Sequence, residues 1–387
     1  MKIARSVNRL GTEAVYNIFA KTKELTKQGR EIIDLSLGQS DFKSPNHAVE
    51  AAIKALKDGH HGYTLPNGII ECREAVSRKI KNLYKANVDP KRIIIMPGGK
   101  PTMHYAISFF GEPGAEIIYP DPGFPIYESM INFTGAKGVP YNMTDNKNFS
   151  INPNKVLELI NEKTRLLILN NPHNPTGGFT EKNIIDKLAN GLKDFPNLAI
   201  LSDEVYDRLI FDKKEIPTLL NYPDLYERLI VLNGWSKTYA MTGWRLGWSV
   251  WPEKLIEHVF KFCVNSHSCV NTPAQYGAIA ALDGPENHLN DMMREFTIRR
   301  KLIVDGLKSL KGIECSLPGG SFFVFPNVKE TGMNGEEFTK RCLEESGVAM
   351  IPGTAFGKYA IDNVRFNFAT SRENISKAIE KIGKILK

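Results

Sequence analysis

The chain has 387 residues, is 42% hydrophobic and 24% charged, and carries a formal net charge of +7, which together describe an ordinary soluble protein long enough for two domains. The basic excess is spread along the chain and its densest patch, KTKELTKQGR at 21–30, is helical in character, so a solvated face is expected there and not a nucleic-acid groove. No apolar run approaches the ~18–20 residues that span a bilayer, MKIARSVNRLGTEAV lacks the apolar stretch of a secretory signal, and five cysteines without CxxC spacing and eight histidines without HExxH point to free thiols, a reducing cytoplasm and no metal site.

In chain order, an opening helix is expected to end at Gly29. Between about 45 and 285, apolar β-rich runs alternate with Gly/Pro loops and amphipathic stretches. RIIIMP (92–97), EIIYP (116–120), RLLILNNP (165–172), LAILSD (198–203) and RLIVLNG (228–234) are unbroken in hydrophobicity, as strands buried on both faces are. They predict an α/β domain over 41–285, a mostly parallel sheet flanked by helices. From 286 a long helix to roughly 310, short strands around SFFVFP and NVRFNFAT, and a closing helix ENISKAIEKIGKILK predict a smaller α+β domain. Residues 1–40 are expected to return and pack with 286–387, leaving a cleft between two domains.

Ligands of open parallel sheets bind beyond the carboxyl ends of the strands. The five predicted strands are followed by GGK (98–100) and a helix, DPGFPIY, NPHNPTGG, EVYD, and WSKTYAMTGWR. Each has an ordinary explanation: a tight turn with a surface lysine, a proline-stiffened turn, Asp203 as a helix cap, Tyr206 and Phe124 as core packing, Lys237 and Arg245 as solvated charges. Taken together they supply what pyridoxal phosphate (PLP) requires. Lys237 can form the Schiff base, Asp203 can hold the protonated ring nitrogen, and Tyr206 and Asn174 can hydrogen-bond the ring oxygen. Phe124 can stack on the ring, while Arg245, the Ser236 hydroxyl and N–H groups near Gly99 and Lys100 can bind the phosphate.

On SLGQSDF (36–42), HGYTLPNGIIECREAV (61–76), NNPHNPTGG (170–178), SDEVYDRLIF (202–211), SKTYAMTGWRLGW (236–248) and NVRFNFATS (363–371), the chain resembles the class I/II aminotransferases of PLP fold type I, the group that includes bacterial aspartate aminotransferases. The resemblance covers nearly the whole chain, with the motifs in the family's order and approximate spacing. It implies the fold type I architecture with a seven-stranded sheet, and ping-pong transamination in which Lys237 also serves as general base. Arg365 would receive the substrate α-carboxylate, helped by Asn174 and the backbone at Gly38. Tyr63 would reach the phosphate of the partner subunit's cofactor across a homodimer interface. Two departures stand out: Gly234 occupies the place, three before the lysine, where many relatives carry a phosphate-binding serine, and Gln39 and Ser40 replace a common Glu-Pro pair.

Substrate choice stays open between several readings. A lysine in the place of Lys100 can contact a distal carboxylate in similar enzymes, which favours aspartate or glutamate; alternatively Lys100 only neutralises phosphate or faces water. Tyr16, Phe19, Phe124 and Trp235 would equally suit an aromatic or hydrophobic amino acid. A PLP-dependent carbon–sulfur β-lyase would share the same cofactor motifs. A non-catalytic PLP-sensing regulator would need an added helix-turn-helix and is not expected.

Overall fold

A computed structural model describes residues 1–11, 14–146, 148–212 and 215–386, with the side chains of Ala14, Val15 and Phe19 outside that description. In chain order the strands are β1 (Ile33–Asp34), β2 (Ile93–Met96), β3 (Glu116–Asp121), β4 (Lys137–Asn142), β5 (Thr164–Asn170), β6 (Ala199–Asp203), β7 (Leu229–Gly234), β8 (Gly247–Val250), β9 (Phe323–Val324), β10 (Val348–Ala349), β11 (Ile351–Pro352) and β12 (Val364–Asn367). One seven-stranded sheet runs β2-β8-β7-β6-β5-β3-β4. In it β8 is antiparallel to both neighbours and the remaining pairs are parallel.

The five unbroken apolar runs are β2, β3, β5, β6 and β7. The other two strands of this sheet carry no such signal. β4 is an edge strand of mostly half-exposed residues, where Pro140 can lack an N–H without breaking an inner ladder. β8 is four residues long and lies in a motif dominated by its loop.

Alternation along the strands buries both faces. Ile94, Met96, Leu166, Ile168, Leu201, Ile230 and Leu232 pack under the helices Lys100–Phe110 and Ile126–Thr134. Ile93, Ile95, Leu167, Leu169, Ile200, Leu229 and Val231 pack on the opposite side with the helices Asn46–Lys57, Ile70–Tyr84, Lys182–Gly191 and Thr272–Asp283. Each such side chain is stabilised by roughly 1.5–3 kcal/mol on leaving water.

A second core forms where the helices Asn287–Lys308 and Arg372–Ile385 set Met292, Phe296, Ile303, Ile375 and Ile382 against Phe322, Val324, Phe366 and Phe368 in and around β9 and β12. Residues 33–35 of the N-terminal segment join this core, with β1 paired in parallel with β10 and Ile33 and Leu35 buried in it, whereas Arg9 donates to the Asn132 and Phe133 carbonyls of the helix Ile126–Thr134 on the large-sheet side. The opening helix, Ala14–Lys27, is closed by Gly29 at φ 84°, with the Arg30 N–H donating to the Leu25 carbonyl at 3.1 Å; that left-handed turn is one that glycine adopts without strain. At the passage between the cores, Arg299 donates to both oxygens of Asp41 (2.8 and 3.0 Å) and to Glu295 (2.8 Å). No described helix is long and apolar enough to cross a membrane.

The sheet register decides where the chemistry gathers. Asn170 at the end of β5 pairs with Asp203 at the end of β6, Asp203 with Leu232, and Gly247 with both Gly234 and Met96. The carboxyl ends of four parallel-running strands therefore open on one edge.

Candidate active site

Strand alternation puts Asp203 on the same face as Leu201, beneath the helix Ile126–Thr134. Its carboxylate is 2% exposed; Oδ2 accepts the Tyr127 hydroxyl at 2.6 Å and Oδ1 the Val205 N–H at 3.2 Å. Burial pushes the carboxyl up to about 6, against the downward pull of those two donors. Residues 205–208 form turns and no helix begins at Asp203, so capping does not account for it. Asn170 adds a second layer, donating from Nδ2 to the Asp203 carbonyl at 3.0 Å and accepting the Asn174 N–H on Oδ1 at 2.9 Å.

Lys237 follows β7 and its Nζ donates to the Gly38 carbonyl at 2.6 Å, 5.8 Å from the Tyr206 ring centre. Burial first, then the like charges of Arg365 and Arg245, lowers its ammonium from 10.5 to about 8. The amine is thus freed far more readily than that of a solvated lysine. Arg365, 3% exposed on β12, lies 4.4 Å from the ring centre of Phe323 and 4.7 Å from that of Phe356, and donates to Asn174 Oδ1 (2.9 Å) and the Ser36 carbonyl (2.6 Å).

At the other end of the site, Gly99 caps the helix Lys100–Phe110, whose N-terminus has no side-chain cap and so presents backbone N–H groups to an anion. Arg245 comes against this turn: a Cβ on Gly98, at φ 87°, would lie 2.2 Å from Arg245 Nη2. The same crowding explains the departure at Gly234. It pairs with Gly247, and a Cβ there would stand 2.9 Å from both Gly247 Cα and the Leu246 carbonyl. Lys100 Nζ lies 5.5 Å from the Tyr16 ring centre and 5.6 Å from that of Phe124.

One cavity of about 430 Å³ is lined by Gly38, Gly99, Lys100, Phe124, Asn174, Asp203, Tyr206, Ser236, Lys237, Arg245 and Arg365, with Tyr16 and Gln39. Tyr63, expected to serve a partner subunit's site, is 93% exposed on the surface. Trp235 is a correction: it is fully buried in the core on the other side of the sheet, with Nε1 donating to the Ala278 carbonyl at 3.0 Å, because alternation after β7 turns it away from Ser236 and Lys237. The Phe19 side chain lies outside the described residues. Sequence reasoning missed Tyr127, Asn170 and the Phe323–Phe356 pair. Only Tyr127 carried a signal, standing three residues after Phe124 where a helix begins, a spacing that shares a face.

The donor set fits PLP. A desolvated amine, a buried carboxylate whose hydrogen-bond partners are a hydroxyl and an amide and not a cation, and a helix N-terminus beside an arginine match its aldehyde, ring nitrogen and phosphate. Residues 30–382 match the family model for aminotransferase class I and II. The chain is 40% identical to a probable aspartate aminotransferase of Methanocaldococcus jannaschii, covering 92% of this chain and 93% of that one. It is 34% identical to aromatic-amino-acid aminotransferase 2 of Thermococcus litoralis, over 93% of each. Among solved structures, Thermus thermophilus aspartate aminotransferase with maleate superposes at a TM-score of 0.94 with 30% identity, covering 100% of both chains. The chain belongs to the class I and II aminotransferases of PLP fold type I, enzymes that use pyridoxal phosphate to pass an amino group from an amino acid to a 2-oxo acid.

Proposed function

We propose that the preferred amino acid is a dicarboxylate, aspartate or glutamate, and that the cavity residues divide the work as follows. Arg365, with Asn174 and the backbone at Gly38, receives the α-carboxylate; Lys100 receives the distal one. Lys237 holds the cofactor and, once released, takes the proton from the substrate Cα and returns it. Asp203 keeps the ring nitrogen protonated, Tyr206 and Asn174 hydrogen-bond the ring oxygen, and Phe124 covers the ring. Arg245, Ser236 and the N–H groups at Gly99 and Lys100 hold the phosphate. When bound, PLP supplies the electron sink that lets the Cα–H bond ionise.

The observation that carries the dicarboxylate reading is Lys100, a further cation in the cavity that already contains Arg365 and Lys237. A second reading, for aromatic amino acids, is favoured by the two rings beside Lys100, Tyr16 and Phe124, and by the Thermococcus litoralis relative. The working unit is a homodimer in which Tyr63 serves the partner's phosphate: Ile53, Leu56, Tyr63, Leu65 and Ile70 are all exposed, apolar side chains that a second subunit would cover. A cytoplasmic setting accords with five free cysteines. The domain division proposed is 41–285 against 1–40 with 286–387, with the Asp41–Arg299 pair at the crossing.

A half-reaction screen tests the substrate. Holoenzyme is mixed with each amino acid and the visible band of the bound cofactor is followed. Aspartate and glutamate should react fastest, and Lys100→Ala should slow them much more than it slows alanine. Faster reaction with phenylalanine or tyrosine would establish the aromatic reading. Pyruvate and ammonia formed from cysteine without an oxo acid would establish a β-lyase.

A further inference from the structure

We propose that Asn367 is a positioning residue for carboxylate recognition: its side-chain amide fixes the backbone strap that carries Gly38 across the site. The proposal rests on the reading of Arg365 and Gly38 as the carboxylate site.

Arg365 and Asn367 are two apart on β12 and share a face, while Phe366 turns into the second core. Arg365 lines the cavity; Asn367, 4% exposed, does not. Its Nδ2 donates to the carbonyls of Leu37 (2.5 Å) and Gln39 (3.2 Å), the two residues that flank Gly38. Both N–H bonds of the amide are thereby used. The acceptor end is held as well, since Oδ1 accepts the Ala369 N–H at 2.7 Å, and the Asn367 backbone N–H donates to the Leu35 carbonyl at 2.8 Å.

The strap so clamped is the one on which the site's cations rest. The Ser36 carbonyl accepts from Arg365 and the Gly38 carbonyl from Lys237, each at 2.6 Å. Four successive carbonyls, 36 to 39, therefore accept from Arg365, Asn367, Lys237 and Asn367 in turn. Gly38 has little slack: a Cβ there would be 3.1 Å from Phe323 Cζ. Losing the amide frees the strap on both sides of the one residue whose backbone must meet the ligand, and a misplacement of ~1 Å is enough to cost binding and rate. A carboxylate in the same place would be worse than a gap, because it faces two carbonyl oxygens with no proton to share.

The test uses Asn367→Asp holoenzyme. Three quantities are measured: the Kd of succinate, a dicarboxylate without an amino group, from its perturbation of the cofactor band; the Kd of PLP for the apoprotein by fluorescence; and KM and kcat for the best amino acid of the screen. The succinate Kd and the KM should rise ~10-fold or more, KM by more than kcat falls, while the PLP Kd stays within ~3-fold of the parent value. A succinate Kd within ~3-fold of the parent, or succinate and PLP affinities weakening by the same factor as in general loosening, overturns the proposal. Arg365→Lys is measured alongside. If it also leaves succinate binding unchanged, the carboxylate site itself has been misassigned; if it weakens binding and Asn367→Asp does not, only the role of Asn367 fails. Should Asn367→Asp not fold, Asn367→Ser, which keeps a single donor, reads the same ratio of succinate to PLP affinity.

Discussion

Replacing Lys237 by methionine should stabilise the PLP-free protein near neutral pH while abolishing transamination. The buried ammonium has its pKa lowered from 10.5 to about 8, chiefly by desolvation. At ~1.4 kcal/mol per tenfold change in proton affinity, that difference amounts to about 3 kcal/mol of charging cost carried by the folded state below pH ~8. Methionine removes the cost but also removes the hydrogen bond to the Gly38 carbonyl, a bond to a charged donor worth roughly 1.5–3 kcal/mol. The net gain at pH 7 is therefore modest, about 1 kcal/mol, and the pH dependence is the sharper signature. Between the folded value near 8 and the unfolded value near 10.5 the unfolded chain binds more protons, so the parent's stability rises with pH across that window. The variant lacks that contribution. Urea midpoints of both apoproteins at pH 7, 8, 9 and 10 measure it, with the difference between the two cancelling other titrating groups. A difference that stays flat from pH 8 to 10, or moves in the variant's favour, would refute the reasoning that Lys237 is held desolvated.

Tyr127→Phe removes one of the two donors to the Asp203 carboxylate; PLP affinity should fall ~10-fold, and because that hydrogen bond holds the carboxyl down, the acid limb of the kcat/KM profile should move to higher pH. An unshifted limb would show that the hydroxyl does not tune Asp203. Gly234→Ser, which would place a hydroxyl three residues before Lys237, should weaken the protein instead of improving phosphate binding, with a loss of roughly 1–3 kcal/mol from forcing the β7 and β8 backbones apart. Thermal unfolding of the apoprotein checks it, and an unchanged melting temperature with tighter PLP binding would contradict the steric account.

What the sequence revealed, and what it concealed, follows from how each feature is encoded. β2, β3, β5, β6 and β7 are legible because strands buried on both faces must be apolar throughout, and the residues just past their ends are legible because a ligand edge interrupts that pattern. β4 and β8 escaped notice: one tolerates Pro140 at the sheet edge and the other is four residues of a motif whose loop draws attention. Lys237, Asp203 and Arg245 stand out as charges in places where a buried sheet offers no reason for them. The pair Phe323 and Phe356 does not, since an aromatic residue in a core segment has the same appearance whether it packs or lines a site, and Tyr127 is signalled only by its spacing from Phe124. Trp235 shows the converse. Its neighbours in sequence line the cavity, yet the chain's alternation sends it to the far face, where it meets Ala278.

Arg365 has two phenyl ring centres 4.4 and 4.7 Å from its guanidinium carbon, and Nη1 and Nη2 each donate a hydrogen bond. Its rotational freedom is lost when the chain folds, not when the ligand arrives. The guanidinium therefore meets an incoming carboxylate with its place already set, and little further ordering of this side chain is charged against binding.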